Sequence, residues 1–176
     1  MKSKWPIFFC AVLVLTGPAL GQPAGSSTCY SEKSQNVPGN VFDKMEISPQ
    51  FRGQSGFGNY LAVRIPFAQL APATPGNAFT DTAQVRFILS PGKGMSDLTV
   101  TKAQGERFKN ELNRAVKESA CLWRPGGFSG REMTGWVVLN IYYTVERNKN
   151  KNDFSLHVGY ELVNKFPGGN GQWNGK

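Results

Sequence analysis

Cysteine, histidine and paired carboxylates do most side-chain chemistry, and this 176-residue sequence holds only three cysteines and one histidine. His157 lies between Leu156 and Val158, so an alternating strand would turn it outward, and a metal site would need further His, Cys or carboxylate ligands at ligand spacing. Cys121 and His157 would form a nucleophile–base pair only if their side chains met within hydrogen-bond reach. Glu106 and Glu111 are five residues apart, so on a helix they do not share a face. Gly92-Lys93-Gly94 is too short and poorly framed for a phosphate loop and reads as a hairpin turn. No enzyme, metal or cofactor is expected from these residues.

The cysteines have a simpler use if the chain is exported. Lys2 and Lys4 precede an unbroken apolar run, Ile7 to Leu15, and Ala19-Leu20-Gly21 supplies the small residues of a signal cleavage site. Residues 1–21 are read as a signal peptide cut after Gly21, with the bond after Ala24 as second choice. The run is shorter than the roughly 20 residues that span a bilayer, so no stable membrane anchor is expected after cleavage. The location expected is the periplasm or outside the cell. Cys10 belongs to the signal. That leaves Cys29 and Cys121, and an even count in an oxidising compartment predicts one disulfide.

About 155 residues remain, enough for one domain with a core of its own. The whole chain carries a formal net charge of +8. Loss of the two signal lysines lowers it to about +6, a value that keeps a protein soluble without naming a partner.

Residues 22–40, rich in Gly, Ser, Pro and Gln, read as a loose lead-in, and 41–166 as a single domain. Leu61, Val63, Ile65 and Phe67 alternate, which predicts a strand over Tyr60 to Phe67. Ala68 to Asp81 reads as a loop. Strands are predicted over Gln84 to Leu89 and Asp97 to Thr101, joined by the Ser90–Gly94 turn. A helix is predicted from about Ala103 to Trp123, with Phe108, Leu112, Ala115, Val116, Ser119 and Trp123 on one stripe.

Cys121 lies about 220° round the helix from Phe108. The segment around Cys29 is therefore predicted to strap over the back of this helix. Trp136 to Glu146 predicts a long strand with Val137, Leu139, Ile141, Tyr143 and Val145 inward. Its other face, Trp136, Val138, Asn140, Tyr142 and Thr144, is semi-polar. Arg147 to Asp153 is a polar turn that joins the long strand to a further one, Phe154 to Val163, as a hairpin, and Pro167 to Lys176 is a loose tail. The fold class expected is α+β: a small antiparallel sheet with one main helix packed on one face.

Within that order, four segments read VRFILSPGKG, DLTVTKA, FKNELNRAVKESACLWRP and VVLNIYYTV. The stretch from Gln84 to Glu146 resembles the TonB C-terminal domain, including its TolA-like relatives. In that family a "VxFxLxPxG" strand precedes an "LxVxKA" strand, a helix ending in Trp-Arg-Pro, and a closing "VxLxIxYxV" strand. The resemblance implies a ββαβ core and recognition of an envelope protein partner, partly by strand addition. It also implies a membrane anchor and a proline-rich spacer, which are not read here, so force transduction is not expected.

The function expected is a non-enzymatic binding module in the envelope, with Trp136, Val138, Asn140, Tyr142 and Thr144 as its contact residues. Trp136 reads equally as a lid on the core. Aromatic residues on a sheet could also stack single-stranded nucleic acid, but the secretory signal makes that partner unexpected. A homodimer is among the assemblies allowed. The alternative is an inhibitor or immunity protein for a secreted or cell-wall-acting enzyme, marked by a projecting loop within Gly126 to Gly135.

Overall fold

Two long paired strands that turn apolar residues inward at alternate positions lie at the centre of the computed structural model, which describes residues 29–33, 40–70, 77–103, 105–147 and 154–163. The elements in chain order are β1 (Tyr30–Ser31), β2 (Gln50–Phe51), α1 (Gly56–Arg64), β3 (Ala78–Ser90), β4 (Gly94–Thr101) and α2 (Glu106–Glu118). They continue with β5 (Trp123–Arg124), β6 (Gly127–Phe128), β7 (Arg131–Glu132), β8 (Gly135–Arg147) and β9 (Phe154–Leu162). The signal segment, the rest of the lead-in, most of the Arg147–Asp153 turn and the tail lie outside the described residues.

The main sheet has the order β1-β4-β3-β8-β9. All its pairings are antiparallel except that of β1, which runs parallel to β4. The class is α+β, with α2 as the main helix and α1 beside it. One sheet face carries Val85, Phe87, Val137, Leu139, Ile141, Tyr143 and Val145, all buried, against Phe108, Leu112, Ala115 and Val116 of α2. Each such side chain contributes about 1.5–3 kcal/mol by leaving water. Tyr60 of α1 donates its hydroxyl to the Ala115 carbonyl of α2 at 3.3 Å, and Arg64 pairs with Glu118 at 3.3 Å, which ties the two helices together.

The expected strand from Tyr60 to Phe67 is instead the helix α1 followed by a single 3-10 turn, Phe67–Gln69. Phe57, Leu61 and Ile65, spaced i, i+4, i+8, are the buried set, while Val63 is 85% exposed. The alternation was a by-product of that helical spacing. The expected loop ends earlier than Asp81, because β3 already begins at Ala78. Ala78–Asp81 pair with Glu146–Tyr143 of β8, so this stretch is strand by virtue of its partner.

Helix α2 is shorter than expected. It stops at Glu118, a 3-10 turn covers Ala120–Leu122, and Trp123 turns into strand β5, paired with Phe51. Ser119 fixes this exit: its hydroxyl donates to the Val116 carbonyl at 2.7 Å and accepts the Trp123 indole N–H at 3.0 Å. Trp123 then meets Phe51, Phe57 and Phe87, with ring centroids 5.4, 5.0 and 5.3 Å away.

Cys29 and Cys121 are joined by a disulfide with Cα atoms 5.2 Å apart. The described part of the segment it holds, residues 29–33, does not cross the back of the helix as expected. It becomes the edge strand β1, where the Met95 N–H donates to the Cys29 carbonyl at 2.7 Å. Gly94 permits this approach: its φ is +77°, and a Cβ there would overlap the Cys29 carbonyl oxygen. Lys117 completes the tie from the helix, pairing with Glu32 at 2.7 Å and lying 4.9 Å over the Tyr30 ring. The Lys117 ammonium holds the Glu32 carboxyl below its usual range, and the same hydrogen bond raises Lys117.

Candidate functional site

Among the described residues, helices cover only one face of the sheet, and the outward residues of β3, β8 and β9 lie on the other. The register sets its rows: Thr80, Thr144 and His157; Thr82, Tyr142 and Gly159; Gln84, Asn140 and Glu161. Thr80 and Thr144 hydroxyls are 3.0 Å apart, and Gln84 donates from its amide nitrogen to the Asn140 side-chain oxygen at 3.1 Å. Arg86 stacks over Trp136, its guanidinium carbon 3.7 Å from the ring centroid, a cation–π contact.

The five residues expected to make contact all lie on this face. Asn140 and Tyr142 are exposed; Trp136, Val138 and Thr144 are half-buried. Trp136 lies under the Arg86 guanidinium on this face and across from Ile88, which is buried. Tyr142 lies over Gly159, where a side chain would collide with its ring. His157 is exposed beside it, ring centroids 6.4 Å apart.

Two shallow concavities flank Tyr142. One, of about 380 Å³, is lined by Thr82, Gln84, Lys102, Asn140, Tyr142 and Glu161. The other, of about 400 Å³, lies between the start of α1 and β9 and is bounded by Ser55, Asn59, Tyr142 and His157. Sequence reasoning did not single out Gln84, Arg86, Lys102 and Glu161. Gln84, Arg86 and Glu161 reach it through strand register, which no local pattern specifies, and Lys102 follows the end of β4.

Strand addition to β8 is ruled out by the topology, because β3 and β9 occupy both its edges. The Val163 N–H donates to the Val138 carbonyl at 2.8 Å. Alternate pairs from there are the hydrogen-bonded ones, so Leu156, Val158, Tyr160 and Leu162 turn their main-chain groups to the outer edge of β9. Helix α1 guards the middle of that edge. A Cβ on Gly58 would lie 3.1 Å from the Val158 carbonyl oxygen.

The remaining chemical candidates fall apart on inspection of their partners. Cys121 has no thiol to offer, being in the disulfide. Glu106 pairs with Lys109 at 3.2 Å and Glu111 with Arg114 at 2.7 Å on the helix surface. Gly92 and Gly94 have φ of +68° and +77° in the turn between β3 and β4. Among the described residues no three His, Cys, Asp or Glu side chains are grouped as metal ligands, and no helix is long and apolar enough to cross a membrane.

Residues 126–135 form a small hairpin, β6 and β7. Its tip residues Ser129 and Gly130 have φ of +49° and +77°, as a type I′ turn requires. The Ser129 N–H donates to the Glu46 carboxylate at 2.9 Å, Arg124 pairs with Glu132 at 2.8 Å, and Ile47 and Gly127 exchange main-chain bonds at 2.9 Å. Phe128 at the tip is 53% exposed. No family model matches the sequence, and no curated protein or solved structure shows significant similarity to it.

Proposed function

We propose that this chain is an exported, non-enzymatic protein-binding module of the TonB C-terminal type that acts in the bacterial envelope, in the periplasm or outside the cell. The observation that carries the reading is the open sheet face, where Trp136, Val138, Asn140, Tyr142 and Thr144 stand in one row with no helix over them. A semi-polar surface with Tyr and Trp at its centre has the composition of a recognition patch. The ordered strand–strand–helix–strand pattern that resembles the family gives the class of partner, an envelope protein. The outer edge of β9, on either side of Val158, is one edge of the main sheet to which a partner strand could add.

Affinity capture from a native envelope extract, with the mature chain as bait, tests this. Recovery of outer-membrane receptors or transport components, lost with Tyr142→Ala and Val138→Lys, is the expected result. Recovery of a secreted or cell-wall-cleaving enzyme, indifferent to both changes but lost with Phe128→Ala, would replace it with the inhibitor reading. The braced hairpin with its exposed Phe128 is the one feature that favours that second reading.

A further inference from the structure

We infer that the two concavities either side of Tyr142 form a binding site for an uncharged saccharide of at least two sugar units. The first support is the ring itself. Tyr142 rests over Gly159 on the neighbouring strand and is 43% exposed, so it presents a flat apolar plate with a hydroxyl at its rim. A pyranose has the matching character, with an apolar C–H face ringed by hydroxyls.

The second support is the polar chemistry around the plate. The bond from Gln84 Nε2 to Asn140 Oδ1 orients both amides. It leaves the Gln84 carbonyl oxygen as an acceptor and the Asn140 amide hydrogens as donors. A sugar hydroxyl both donates and accepts, so adjacent hydroxyls satisfy such a pair. Glu161 and Lys102 line the same concavity, and neither makes an ion pair with a described residue. Their opposite charges cancel, which suits a neutral ligand better than a polyanion.

The third support is the arrangement. Concavities of about 380 and 400 Å³ share the Tyr142 ring, and the second brings Ser55, Asn59 and His157 to the far side. Each is at the small end of ligand sites, about 300–1,000 Å³. One sugar unit in each concavity accounts for two polar concavities around a single aromatic side chain. The inference does not rest on the protein-binding reading, although the two share Asn140 and Tyr142.

The test is titration of the ¹⁵N-labelled mature chain, followed by NMR, with tetrasaccharides of β-1,4-N-acetylglucosamine, β-1,4-glucose and α-1,4-glucose at millimolar concentration. Saturable shifts of the Gln84 and Asn140 side-chain amides and of His157 are expected with at least one of them. Tyr142→Ala should weaken that binding about tenfold, and Tyr142→Phe should retain it. Asn140→Ala provides a second loss variant that leaves the ring in place, should Tyr142→Ala fail to fold. The inference is overturned if no tetrasaccharide gives saturable shifts, or if folded Tyr142→Ala and Asn140→Ala both bind like the parent. It is also overturned if heparin or an unstructured peptide moves these amides while the saccharides do not.

Discussion

The ring of Tyr142 occupies the space that a Cβ on Gly159 would need, across the pairing of two neighbouring strands. Residue 159 therefore sets where the exposed aromatic side chain of the open face can lie. The atoms in conflict are the outer end of a side chain and not main chain, so a methyl group there would swing the ring aside and leave the sheet intact. Gly159→Ala should keep the fold, with stability changed by no more than about 1 kcal/mol. It should nevertheless weaken ligand or partner binding at the face as much as Tyr142→Ala does. Urea unfolding together with the saccharide titration checks both halves.

The disulfide closes a long loop, since Cys29 and Cys121 are 92 residues apart in sequence. Loop entropy alone puts its contribution at about 4–5 kcal/mol, and measured bridges commonly give about 2–4. Replacing both cysteines by serine should lower the denaturant midpoint accordingly. Adding reductant to the parent protein should do the same and have no effect on the double variant. An unchanged midpoint in the double variant would mean that β1 stays on β4 without its covalent tie.

Ser119 is fully buried and holds the Trp123 indole N–H at 3.0 Å. Ser119→Ala leaves that donor without its acceptor inside the aromatic cluster, at a cost of about 1–3 kcal/mol. Denaturant unfolding should register the loss. Intrinsic tryptophan fluorescence should shift as the indole adjusts. Serine-to-glycine would not serve as well, because it also loosens the main chain where the helix ends.

Tyr143 is 1% exposed, and burial, with a smaller contribution from the Asp81 carboxylate, pushes its phenol up to about 12. The unfolded phenol ionises near 10. Below that value both states hold the proton and the shift has no effect. As pH rises from 10 towards 12 the unfolded chain loses the proton first, so stability falls by up to about 2–3 kcal/mol. Chemical unfolding across this window should show that decline. Tyr143→Phe should flatten it, whereas an equal decline in the variant would assign the effect to other groups.

An exposed main-chain N–H can be removed from an edge strand without breaking its ladder. Leu156 turns its N–H to the outside of β9, so Leu156→Pro should leave the β8–β9 pairing in place. If the partner adds a strand to this edge, capture should fall sharply with Leu156→Pro. Unchanged capture would remove the outer edge of β9 from recognition.

Periodicity by itself determined the long strand β8, the Gln84–Leu89 part of β3, which side of them is buried, and the apolar stripe of α2, whereas the Ala78–Asp81 part of β3 is strand through its pairing with β8. Val137 to Val145 alternate so strictly that no other placement would bury them. The α+β class was legible for the same reason. The α1 segment was misread because Leu61, Val63, Ile65 and Phe67 fit a strand, while the helical set Phe57, Leu61 and Ile65 is equally present. Only packing against α2 and β9 decides between the two periods. Tertiary structure closed the edge of β8 that a partner strand would have used, along the β8–β9 hairpin that the two strand patterns and the polar turn already predict. It also brought Gln84, Lys102, Asn140 and Glu161 around Tyr142. Strand register is a property of pairs distant in sequence, so local patterns name the residues of a face but not its neighbours across the sheet.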